Sequence, residues 1–348
     1  MYIIVGYILA IILLKIIFTT KEKYNIVFLL IAGIMLTLIV SMRNLNFGSD
    51  TLVYIQKFKE YSLIDYSIFI DYLNSVNEKD KTFYILIRTL NNFGIEGHLL
   101  IAILATIFLI AIFWLIYKYS HNNLLSIILF ISLGYLFFSL TGLRQTLALS
   151  LIIFSYKYIR ERKLIKFVLL VLFASLFHST AIIFLIAYPF AYVKLGMKHI
   201  LILSAAIITN SLFYSQVNGV LEKFIVNDQY EYYLNNMETL NYSGFFIQLI
   251  IFIFCVVLKK NLLPQNPKDI SLYNLIFIGL LIQLFSTNIA VAFRISLYFS
   301  IFSIILIPNI INSIKNINIK ILLYIIIIPI LLLYLYLNNY YDGFTFYW

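Results

Sequence analysis

Apolar residues run along the chain in long continuous stretches near 2–18, 24–42, 98–117, 123–140, 145–159, 165–178, 179–193, 199–214, 244–258, 270–288, 295–313 and 319–338. The runs do not alternate apolar with polar, so each predicts a helix and not a half-buried strand. Most approach the ~20 residues that a helix needs to cross hydrocarbon. Backbone groups in lipid must be satisfied within a helix or a closed barrel, which also favours helices. The predicted fold is all-α: one transmembrane bundle of about twelve spans filling residues 1–348. The stretch 165–193 is long for one span and short for two full ones, and basic residues flank both ends. A hairpin of two short helices broken at Phe177-His178-Ser179 fits that pattern.

Between the runs lie polar segments. Two are long: 43–97 and 215–243. The first has room for two short interfacial helices. One begins near Gly48-Ser49-Asp50. The other runs from Thr82, a plausible N-cap, to Gly94, a plausible C′ residue. The second loop is rich in Tyr, Asn and acidic residues.

Composition makes the membrane reading hard to escape. The chain is 63% hydrophobic and 11% charged, with mean hydropathy +0.97. Soluble domains carry about 25% charged residues. The first residues lack a basic leader and a small-residue cleavage site, so the first span is read as retained. A single cysteine, Cys255, excludes an internal disulfide and a cysteine-based metal site.

The net charge of +10 resolves into a sidedness. Sixteen of the 25 Lys and Arg residues, among them Lys118, Arg160, Lys163, Lys194 and Lys259, fall on one side of the spans, with only Glu22, Glu161 and Asp269 beside them. That side is cytoplasmic by the positive-inside rule, and both termini face outward. The charge thus reports orientation and not nucleic-acid binding.

Against this bias, Arg43, Arg88, Arg144 and Arg294 all fall on the outer side. Arginine suits bidentate recognition of phosphate and carboxylate, so these four point to an anionic substrate at the outer face. Asp50, Tyr54 and Phe58 share one face of the first loop helix. Asp50 either offers a carboxylate or caps the helix. Arg144 and Gln145 sit where one span ends and the next begins; there the arginine either binds an anion or snorkels. Arg294 and Tyr298 are i,i+4 neighbours with the same two readings, and Arg88 fits surface anchoring as well. His178 is an ionisable group at a helix break within a membrane segment, either functional or a hydrogen-bonded break residue. The triplet Glu78-Lys79-Asp80 reads as solvated. No metal-ligand spacing, phosphate-cradling glycine loop or nucleophile elbow occurs.

Three groups of these residues, in order along the chain, resemble the EpsG/Wzy-type polysaccharide polymerases of bacterial capsule, exopolysaccharide and O-antigen synthesis. The first is Arg43, Gly48-Ser49-Asp50, Tyr54 and Phe58; the family more often has Thr where Ser49 stands. The second is Leu143-Arg144-Gln145, Ala148, Tyr158-Ile159, the basic turn 160–163, Lys166-Phe167 and Phe177-His178-Ser179. The third is Arg294, Tyr298-Phe299 and Pro308. The resemblance implies an enzyme of the bacterial cytoplasmic membrane that joins undecaprenyl-diphosphate-linked oligosaccharide repeat units at the outer face. It would use no cofactor or metal and work beside a flippase and a chain-length regulator. The implied catalytic set is Asp50 or His178 as base with Arg144 and Arg294 on the diphosphate. Arg43, Arg88, Tyr54, Gln145 and Tyr298 would bind substrate. A flippase or exporter of lipid-linked oligosaccharide and a glycan ligase are the alternatives.

Overall fold

A computed structural model describes residues 1–18, 22–212, 242–287 and 290–348. All but the end of the second expected outer loop, 215–243, therefore lies outside the described residues. Of the described residues 79% are helical, and none of them forms a strand. Helices Tyr24–Ser41, Gly97–Tyr119, Ala292–Ser313 and Ile317–Leu337 are long and apolar enough to cross a membrane, and shorter apolar helices accompany them. The protein is a helical, multi-pass membrane protein.

Two compact units emerge: 1–182 with 315–348, and 183–314. The first contains α1 (Tyr2–Ile17), α2 (Glu22–Ser41), α3 (Thr51–Ser62), α4 (Phe69–Ser75), α5 (Lys81–Asn92), α6 (Gly97–Tyr119), α7 (Asn123–Ser132), α8 (Tyr135–Ser139), α9 (Leu143–Arg160) and α10 (Leu164–Phe177). The helix Ile317–Leu337 completes it.

Contacts at the helix ends show the chain alternating between two sides of this unit. On one side Met1 N donates to Tyr341 O at 2.7 Å, Asn44 N donates to Thr345 O at 2.8 Å, and the His98 ring lies 4.9 Å from Tyr347. On the other, Lys15 Nζ reaches Asn25 Oδ1 at 2.6 Å, Asn122 Nδ2 reaches the Tyr324 hydroxyl at 2.8 Å, and the Arg160 guanidinium sits 5.2 Å from the Tyr119 ring. Both chain ends therefore lie on the Arg43 side, opposite Lys15 and Arg160. The apolar stretch 123–140 is broken in the middle, where Gly134 takes φ +81° between α7 and α8.

The loop 43–97 departs from expectation. It forms three helices, α3 to α5, and not two. The second expected helix does not begin at Thr82: its N-cap is Asp80, in the left-handed region at φ 54°. Its end is as expected, with Gly94 at φ +76° just past the C-cap. The three helices share a core of Tyr54, Phe58, Tyr61, Phe69, Phe83 and Tyr84, packed against Leu100 and Leu104 of α6 and Leu143 of α9. Burying these rings removes apolar surface worth roughly 1.5–3 kcal/mol per side chain. The loop is thus a folded cap on α6 and α9.

The break expected at Phe177-His178-Ser179 is present. α10 stops because His178 turns extended, φ −153° and ψ 113°, and a 3-10 helix, Ser179–Ile186, follows.

Candidate anion and base site

Three segments of the first unit converge on one carboxylate. Asp80 precedes α5 in a left-handed conformation that aspartate tolerates better than most residues. Its side chain makes no capping bond to its own helix. Instead Oδ2 lies 2.8 Å from His178 Nδ1 and 3.3 Å from Arg144 Nη1. Oδ1 accepts from the Ser179 backbone N–H at 3.0 Å. That amide is available because α10 ends at Phe177, two residues earlier.

Arg144 is the second residue of α9, at the electropositive end of the helix. Its Nε donates to the Tyr54 hydroxyl at 3.3 Å. Its guanidinium carbon lies 5.8 Å from the Tyr54 ring centre and 5.6 Å from that of Tyr84, within cation–π range. Lys57 Nζ approaches Tyr84 at 4.8 Å and pairs with Glu78 Oε2 at 2.5 Å. The Tyr61 hydroxyl donates to the same oxygen at 2.8 Å. Side-chain exposure separates the roles: Asp80 is 5% exposed, while Arg144 and His178 are 21% and 18% exposed. The carboxylate is sealed beneath a guanidinium and an imidazole that both reach the surface.

The electrostatics follow the contacts. Burial pushes the Asp80 carboxyl up, but the His178 hydrogen bond, the His178 and Arg144 charges and the Ser179 amide outweigh it and hold the group below the usual carboxylate value. Glu78 behaves alike: burial raises it, and the Lys57 and Tyr61 hydrogen bonds with the Lys57 and Arg144 charges bring it lower. Both are ionised acceptors at neutral pH. The acidic triplet read as solvated is thus corrected: two of its members are bound into a cluster by partners far away in sequence.

A model of the EpsG family matches residues 25–348. The chain belongs to the EpsG family. EpsG is a Wzy-type polysaccharide polymerase family, which makes this protein a polysaccharide polymerase and an enzyme at that level. No curated protein and no solved structure matches the chain.

The remaining EpsG residues singled out in the sequence lie in varied settings. Asp50 is the N-cap residue of α3, yet its side chain makes no capping bond and accepts from Ser49 Oγ at 3.1 Å. Arg43 is 1% exposed, and its Nη1 donates to Phe47 O at 2.6 Å and Leu140 O at 2.8 Å. Its Nε and Nη2 are buried with no hydrogen-bond partner among the described residues. Burial lowers its pKa to about 10, so it stays protonated at neutral pH. Arg88 donates to Asn92 Oδ1 and to Ile64 O, tying α5 to the turn after α3. Gln145 is buried next to Arg144.

Arg294 and Tyr298 belong to the second unit. Arg294 lies 5.9 Å from the Phe293 ring, and Tyr298 is fully buried. Near them Ser296 Oγ donates to Gln283 Oε1 at 2.6 Å.

The sequence reading missed Asp80, Glu78 and Lys57. A signal existed: an acidic pair just before a helix whose apolar face is aromatic. Only the fold tells such a pair from an ordinary polar turn.

Proposed function

We propose that this polymerase joins undecaprenyl-diphosphate-linked oligosaccharide units at the outer face of the bacterial cytoplasmic membrane, through a bundle of about twelve spans with both termini outside. The observation that carries this reading is the Asp80–His178–Arg144 cluster, in which a guanidinium and an imidazole that reach the surface meet on one buried carboxylate. A hydroxyl of one lipid-linked unit attacks the anomeric carbon of the glycan on a second lipid. The new glycosidic C–O bond forms as the bond from that carbon to the diphosphate breaks. The hydroxyl proton passes to His178 Nε2, and the lipid diphosphate leaves with one added negative charge. Arg144 meets that charge with its exposed edge, which is electrostatic catalysis of the leaving group. Tyr54 and Tyr84 form the aromatic wall behind the guanidinium, and Gln145, the next residue in the chain, is buried. Arg294, in its own unit with Tyr298 one turn on, is a second candidate for contact with a phosphate oxygen. Arg43 commits its Nη1 to two carbonyls, and Arg88 commits Nη1 and Nη2 to a side-chain amide and a carbonyl; we assign both to holding the cap in shape. Chain-length regulator and flippase partners fit this scheme.

A gel of lipid-linked glycans from cells lacking the gene tests it. The expected result is collapse of a ladder to single repeat units, restored by the wild-type gene and not by Arg144→Ala, whose turnover should fall about 10²–10³-fold. Repeat units trapped inside with no surface glycan would instead support a flippase. A normal ladder that stays on lipid would support a ligase. A wild-type ladder from Arg144→Ala at normal protein level would overturn the assignment of the arginine.

A further inference from the structure

We infer that Asp80 is the positioning residue that makes His178 a base, by fixing which ring nitrogen carries the proton. This rests on the base role proposed above for His178. The argument begins with what an ionised carboxylate can do. It accepts hydrogen bonds and donates none. Asp80 Oδ2 stands 2.8 Å from His178 Nδ1, so Nδ1 must carry the hydrogen. A neutral imidazole has one N–H, and the lone pair is then at Nε2. Nε2 is the nitrogen on the far side of the ring from the 5%-exposed carboxylate. The ring's remaining exposure gives a hydroxyl a way to reach it.

Two further contacts keep the carboxylate from turning away. The Ser179 N–H holds Oδ1 at 3.0 Å, and Arg144 Nη1 holds Oδ2 at 3.3 Å. Ser179 directly follows His178, so Asp80 grips the chain and the ring together. The helix break therefore supplies both the freed amide and the reoriented imidazole. Arg144 shares the oxygen that His178 uses. One carboxylate thus sets the spacing between the proton acceptor and the cation that meets the leaving group.

An amide at this position fails for a specific reason. In Asp80→Asn the Ser179 N–H requires the amide oxygen in the place of Oδ1. The NH2 group then occupies the place of Oδ2, where it donates to His178 Nδ1 and opposes Arg144 Nη1. The hydrogen on the ring moves to Nε2, and the base is lost while the ring stays in place.

The test uses the full-length protein in lipid nanodiscs, with histidine labelled by 15N. His178 is assigned by the signal lost in His178→Gln. In its neutral form the wild-type ring is expected to carry its hydrogen at Nδ1, and the Asp80→Asn ring at Nε2. With a lipid-diphosphate-linked oligosaccharide as substrate, Asp80→Asn should lower kcat by about 10²–10⁴-fold, the range of general acid–base catalysis, with KM unchanged or lower. Asp80→Glu, which keeps the carboxylate, should recover part of kcat. A wild-type ring protonated at Nε2, or wild-type kcat in Asp80→Asn alongside an inactive His178→Ala, overturns the positioning role alone. Wild-type turnover in His178→Ala overturns the base itself, and with it the functional reading of the site.

Discussion

At the scale of single residues, Gly48 and Arg43 show how little freedom the loop 43–97 has. Gly48 sits at φ +98°, and a Cβ there would lie 2.3 Å from Leu140 O. That carbonyl already accepts from Arg43 Nη1 at 2.8 Å and from Thr51 Oγ1 at 2.9 Å. Gly48→Ala therefore combines an unfavourable backbone region with a collision against a carbonyl that two donors hold in place. It should cost on the order of 1–3 kcal/mol, read as a lower melting temperature of the detergent-solubilised protein. An unchanged melting temperature would mean that the turn relaxes freely. Gly48 and Arg43 were both legible in the sequence as part of one segment. Their shared carbonyl was not, because Leu140 lies 97 residues from Arg43.

At the scale of elements, the cap α3–α5 is where pattern and structure part. The end of α5 follows local chemistry: Gly94 takes a left-handed turn that glycine adopts at no cost, so it could be read directly. The start of α5 follows tertiary chemistry. Thr82 has the right side chain for an N-cap, but Asp80 takes the position and turns its carboxylate toward α9 and α10. This contact has a pH signature. Because the folded Asp80 carboxyl is held below its ordinary value, its contribution to stability is fully present above the unfolded pKa of ~3.9 and is lost as pH falls through the lower folded value. The melting-temperature difference between wild type and Asp80→Asn should shrink as pH falls below about 4. A difference that keeps growing below about pH 4 would contradict the ionised carboxylate.

At the scale of the whole molecule, the helix-end contacts divide the first unit into two sides. Met1, Arg43 and Tyr347 gather at one side, with Lys15, Tyr119 and Arg160 at the other. Cys255 is the only cysteine and is buried, so Cys255→Ala provides a clean background for mapping. Single cysteines introduced by Tyr2→Cys and Trp348→Cys, at positions 92% and 73% exposed, should react with a membrane-impermeant maleimide on intact cells. Lys163→Cys should react only after lysis. The reverse pattern would invert the proposed orientation.

By itself the sequence determined the class of fold, the approximate places of most helices, the break at His178 and the arginines worth testing. These follow from local properties: the length of apolar runs, the cost of charge in lipid, and the spread of lysine between spans. Only the tertiary structure decided that Asp80 is the partner of His178, across 98 residues. Nor could the sequence show that the loop 43–97 closes over its own aromatic core. A carboxylate's role depends on which donors surround it and how much water is excluded, and neither is written in the residues beside it.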